Sequence, residues 1–126
     1  MKSRKALIER TVKIMCDQRL LNSLLAQLTD YAKKTFGERL KHVILYGSYA
    51  RGDFDEESDI DVMIMVDLCP EELSKYRWDL SCFCADLNVE HNVLITTKLQ
   101  SASLFDQWKN TLPFYQNVLR EGVVYA

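Results

Sequence analysis

Residues 42–66, HVILYGSYARGDFDEESDIDVMIMV, decide the fold. Val43, Ile44 and Leu45 form an apolar, partly β-branched run that halts at Gly47 and Ser48. A second run, Ile60 with Val62, Met63, Ile64, Met65 and Val66, follows Ser58 and carries Asp59 and Asp61 at its entrance. By composition and punctuation these are two strands joined by a glycine turn and an acidic connection. Side chains two apart on a strand point the same way, so Asp59 and Asp61 share one face at the mouth of a buried strand. Paired carboxylates repel and are costly to desolvate unless a positive charge lies between them. A hard divalent cation with oxygen ligands, Mg²⁺ by default, answers that need. Asp59 alone also suits a turn after Ser58, and it is Asp61 on the same face that favours the cation.

The preceding turn fits the same chemistry. Gly47 allows positive φ or close approach of backbone to a ligand. Ser48 adds a hydroxyl and an N–H, and the residues after it open a helix whose N-terminus favours phosphate. Ten residues separate Ser48 from Asp59, and Asp61 follows after one more. Gly47-Ser48, Ala50-Arg51-Gly52 and Ser58-Asp59-Ile60-Asp61, in this order between two strands, resemble the signature of the nucleotidyltransferase superfamily related to DNA polymerase β, and the short chain resembles its minimal nucleotidyltransferase branch. Arg51 has two readings, contact with phosphate or acceptor, or pairing with Asp53 or Asp55.

The rest of the chain sets bounds. Its 126 residues support one domain, 1–126, with a modest core. A net charge of −2 gives no basic footprint for long nucleic acid. No apolar run approaches the roughly 20 residues that span a bilayer. Lys2, Arg4 and Lys5 are not followed by the apolar core of a signal peptide, so the expected compartment is the cytoplasm. Cys16, Cys69, Cys82 and Cys84 lack zinc-site spacing and read as free, mostly buried thiols.

Along the chain, periodicity predicts a helix over 3–15 and a stronger one over 19–36, with Leu20, Leu24, Leu25, Leu28 and Tyr31 on one stripe and Gly37 as its stop. Pro70, with Glu71 and Glu72, opens a helix to about Ala85. Residues 87–97 alternate loosely and predict a third strand, with Glu90 and Asn92 on its polar face and His91 toward the apolar side. Helices over 101–109 and 111–121 follow, the latter ended by Gly122, and Val123, Val124 and Tyr125 suit a short edge strand. Trp78, Trp108, Phe105, Phe114 and Tyr115 read as core or interface aromatics and not as a nucleobase platform. The expected architecture is α/β (α+β): a small mixed sheet of about four strands, helices mainly on one face and the metal site at one end, the nucleotidyltransferase fold that the resemblance implies.

The resemblance also implies chemistry. Family members use two or three carboxylates, the first two on metal and the third on a neighbouring strand as metal ligand or general base. Here that third place falls to Glu90, with Asn92 equally placed; an amide cannot take a proton at neutral pH and is a weaker cation ligand. The implied reaction is Mg²⁺-dependent attack on the α-phosphorus of a nucleoside triphosphate, leaving a nucleoside monophosphate, AMP first, on a hydroxyl. Asp59, Asp61 and Glu90 would be its catalytic and metal residues, and Gly47, Ser48 and Arg51 its nucleotide contacts. Minimal members often lack an acceptor-binding domain, so a homodimer or a helical HEPN-family protein is the expected partner. The other class open to the chain is an antitoxin-like module that neutralises such a partner by contact. An antibiotic-modifying transferase fits less well, because such enzymes usually carry a further helical domain.

Overall fold

The computed structural model describes residues 17–126; the helix expected over 3–15 and Cys16 lie outside them. Helix α1, Gln18–Phe36, is capped by the Asp17 carboxylate, which accepts the Leu20 N–H at 2.8 Å. Its buried stripe, Leu21, Leu24, Leu25, Leu28, Ala32 and Phe36, follows the three-and-four spacing of one helix face. Gly37 ends it at φ +59.

Strand β1, Leu40–Tyr46, then crosses the sheet and turns through α2, Ser48–Arg51, into β2, Ile60–Val66. β1 and β2 are antiparallel, with Tyr46 opposite Asp61. β2 is buried on both faces, which is why it reads as one apolar run and not as an alternation. Ile60, Val62, Ile64 and Val66 enter the larger core with α1, while Met63 and Met65 enter a smaller one on the other face. The larger core also takes in helix α4, Arg77–His91, reached through a single turn, α3 at Pro70–Leu73, and a tighter turn at Ser74–Tyr76. Strand β3, Ile95–Ser101, lies parallel to β2. Helices α5, Ala102–Trp108, and α6, Pro113–Glu121, cover part of the second face through Phe105, Tyr115 and Val118. The last strand, β4 at Val123–Val124, pairs with β1 and completes the order β3-β2-β1-β4. This is the expected mixed α/β sheet of four strands. Among the described residues no helix is long and apolar enough to cross a membrane.

The third strand is where the structure corrects the sequence. Residues 87–91 continue α4, and the strand starts only at Ile95. Leu87 is the third member of a helical stripe with Leu80 and Cys84, whereas Val89, its supposed strand neighbour, is 86% exposed. Glu90 therefore sits on the exposed side of the last helical turn, with His91 3.8 Å away. Asn92 is the helix cap, in the left-handed region at φ 54, and not a strand residue. The Asn88 side chain then receives the Ile95 N–H at 2.8 Å and sets where β3 begins. The cysteines also differ from expectation: of those described, only Cys84 is buried, and Cys69 and Cys82 are exposed.

If Asn92 is a left-handed cap, Asn92→Gly retains stability, and Asn92→Val lowers it by about 1 kcal/mol or more, since a β-branched side chain is strained there. Urea unfolding of both variants checks this; a strand residue would show the reverse order.

Candidate active site

β1 delivers the chain to Gly47, whose φ of 76 and ψ of −156 suit a residue without Cβ. Its carbonyl accepts the Ala50 and Arg51 N–H groups, both at 3.1 Å, and Gly52 closes the short helix by donating to Ser48 O at 2.9 Å. The acidic connection is locally braced. Asp55 accepts the Glu57 N–H at 2.9 Å, and the Ser58 hydroxyl accepts the Asp55 N–H at 2.9 Å. Tyr49 stacks on Phe54 at 4.2 Å and pins the loop to the larger core. The Ile60 N–H then reaches Leu94 O at 2.8 Å. Asp59 and Asp61 thus flank a tightly held strand entrance.

Asp61 faces the side opposite α1 and α4, beside Tyr46 on β1 and Thr96 on β3. Its carboxylate lies against Gly47: a Cβ on that glycine would collide with Asp61 Oδ2. The glycine is thus required twice, by its dihedral angles and by this contact. Burial pushes the Asp61 carboxyl above the usual range, the Asp59 charge pushes it further, and Arg51 partly offsets both. Tyr46 is likewise raised, by burial first and then by Asp61. A half-buried carboxylate pushed up by burial and by its neighbour's charge, with that neighbour a second hard oxygen donor, suits a divalent cation completed by water and phosphate. No cluster of three His, Cys, Asp or Glu suited to a metal is found among the described residues.

Asp61 thus lies against Gly47, with Ser48 next in the chain and Asp59 close enough to act on its charge. Arg51 is there too, but pairs with Asp53 at 3.1 Å and with Glu121 of α6 at 3.3 Å. Glu90 is not there: it lies on the helix that packs against the opposite face, so the strand-based argument for it as third acid falls. β3, with the sequence ITTKLQS, brings no carboxylate in its place; Thr96 stands beside Asp61, and Lys98 beside Met63. Sequence reasoning missed the contribution of α6. Phe114, Asn117 and Glu121 share a hollow of about 160 Å³ with Tyr46, Gly47 and Arg51. Nothing near residue 47 in the sequence signals a helix more than sixty positions away; only the β4 pairing, which follows α6, returns that segment to β1.

Comparison with known proteins bears on family and fold. Residues 25–115 match the nucleotidyltransferase domain family. A protein of Methanocaldococcus jannaschii, provisionally named a protein adenylyltransferase, is 41% identical over 92 residues, covering 73% of this chain and 84% of the relative. A second so named from the same organism is 39% identical over 75 residues, covering 58% and 76%. In fold, the chain is similar to the crystal structure of a provisionally named nucleotidyltransferase from Sulfolobus solfataricus, with a TM-score of 0.55 at 18% identity and coverage of 82% and 78%.

Gly47→Ala is expected to cost about 1–3 kcal/mol of stability from the dihedral strain alone, with a further loss from contact with Asp61. The double variant Gly47→Ala with Asp61→Ala is expected to recover the second part and not the first. Thermal or urea unfolding of the three variants checks the cycle.

Proposed function

The chain belongs to the nucleotidyltransferase domain family, and from that membership we propose that it transfers a nucleoside monophosphate, AMP first, from a nucleoside triphosphate to a hydroxyl acceptor. The observation that carries the reading is the Asp61 carboxylate packed against the Gly47 turn, with Asp59 at the same strand mouth. Asp59 and Asp61 are the residues that would hold Mg²⁺, which when bound supplies positive charge to phosphate oxygens.

The chain's own groups do the positioning. Gly47 admits phosphate close to the backbone, and the Ser48 hydroxyl and the first N–H groups of α2 are the donors for the β- and γ-phosphates. Arg51 reaches the same phosphates once it releases Glu121. The acceptor oxygen forms its bond to the α-phosphorus, the bond to the bridging oxygen of the β-phosphate breaks, and pyrophosphate leaves. β3 offers no carboxylate for the acceptor's proton, so this reading passes it to solvent water.

A protein hydroxyl is the acceptor we favour, in keeping with the provisional names of the relatives. A HEPN-family helical protein, or a second copy of the chain, is the partner implied by the resemblance to minimal nucleotidyltransferases. One observation favours a second reading: the absence of any carboxylate from β3. In that reading the chain is an antitoxin-like module that keeps the fold and the nucleotide site and neutralises its helical partner by contact.

Incubation with Mg²⁺ and each α-labelled nucleoside triphosphate, alone and with the product of the neighbouring gene, separates the two. The transferase reading expects label on protein, and a loss of about a hundredfold or more in Asp59→Asn and Asp61→Asn, the scale of removing a main electrostatic stabiliser. Glu90→Gln is expected to retain activity within about twofold, because it lies away from the site on an exposed helical turn. Partner binding without transfer, unaffected by either aspartate substitution, supports the module.

A further inference from the structure

Helix α4 is apolar on two sides. Leu80, Cys84 and Leu87 form the side that enters the larger core. On the opposite side Trp78, Cys82, Ala85 and Val89 follow one another at spacings of four, three and four, the pattern by which one helix packs along another. All four are exposed, Trp78 at 76% and Val89 at 86%. A single exposed apolar side chain needs no explanation, but an aligned row that includes a tryptophan marks a surface that something covers. Asp79, Asp86 and Glu90 run along one flank of the row, seven and four residues apart. Arg77 is the only basic residue of the helix besides His91. The cover that fits is therefore apolar in its middle and cationic at its edge.

Residues 1–16, which precede the described residues, have that chemistry. Leu7, Ile8, Val12, Ile14 and Met15 supply apolar side chains, and Lys2, Arg4, Lys5, Arg10 and Lys13 stand against a single acid, Glu9. A second copy of α4 would instead bring the same three acids to the row. Position agrees as well. Tyr31 of α1 stacks on Phe83 of α4 at 4.5 Å, and Phe36 packs against Tyr76, just before α4, at 4.9 Å. The two helices are thus antiparallel, and α1 begins toward the end of α4 that carries Val89. Trp78 and Val89 are about 16 Å apart along the helix axis, and sixteen residues span about 24 Å as helix and more when extended. The segment that joins α1 at Asp17 is therefore long enough to run the length of the row.

We propose that residues 1–16 dock along the outer face of α4 in their own chain, with apolar side chains against Trp78, Cys82, Ala85 and Val89 and basic ones beside Asp79, Asp86 and Glu90. α4 lies on the side of the sheet opposite Asp61, so the proposal is independent of the transferase reading. It makes the N-terminal segment a further layer over α4, held by apolar contact and by charge.

Thiol labelling and cross-linking of the full chain test it. Maleimide modification is followed by mass spectrometry at Cys82, with Cys69, exposed and away from the row, as the internal reference. Val12→Asp in the segment is expected to raise the Cys82-to-Cys69 rate ratio about tenfold, the scale of losing one buried valine. Trp78→Ser on α4 is expected to raise it in the same direction. Carbodiimide coupling is expected to join Lys2, Lys5 or Lys13 to Asp79, Asp86 or Glu90. In a mixture of isotope-labelled and unlabelled chains, each cross-linked product is expected to carry a single isotope. A rate ratio that neither substitution changes, or cross-links that run only to acids elsewhere on the chain, overturns the proposal. Products of mixed isotope also overturn it, and assign the row to a second copy.

Discussion

Asp61 places a charged oxygen against bare backbone at Gly47, where any other residue would place a Cβ. Most of the fold can be traced to that contact. It requires β1 and β2 to be antiparallel in a register that sets Tyr46 opposite Asp61. It requires the intervening loop to return the chain to the sheet at Asp59, which the Asp55–Ser58 turn and the Tyr49–Phe54 stack accomplish. It also requires β2 to be immobile, and burial on both faces provides that. A half-buried carboxylate with another carboxylate close by is an unfavourable arrangement in the absence of cation. The large apolar core behind it is what a fold needs to hold such a pair in place.

Much of this was legible in the sequence because the signals are local. The stop at Gly47, the two aspartates at strand spacing and the stripe of α1 each depend on residues within a turn or two. The third strand was misread because residues 87–95 satisfy two periods at once. Leu87, Val89, His91, Val93 and Ile95 alternate, yet Leu80, Cys84 and Leu87 also mark a helix face, and packing against the larger core favours the helix. Asn92 carried the deciding clue, since asparagine tolerates the left-handed cap that a β-branched residue resists. The role of α6 was not legible, because the pairing of β4 with β1 that returns α6 to the site is a tertiary contact of two residues, Val123 and Val124.

The correction at Glu90 changes the character of the site. With Thr96 and Lys98 on the Asp61 face, β3 adds no carboxylate to Asp59 and Asp61. In the proposed reading such a pair would hold a hard cation through two protein ligands and leave the remaining positions to water and phosphate, the usual habit of Mg²⁺ at nucleotide sites. The second layer, α5 and α6, then does more than cover Met63 and Met65. It brings the carboxylate of Glu121 to Arg51 and walls the hollow beside Gly47.

The most direct measurement is a crystal structure of the chain with Mg²⁺ and a non-hydrolysable ATP analogue. The account predicts a cation about 2.0–2.1 Å from oxygens of both Asp59 and Asp61, with the triphosphate lying over Gly47 and Ser48. A nucleotide bound elsewhere on the sheet, or a cation that leaves Asp61 uncoordinated, contradicts it.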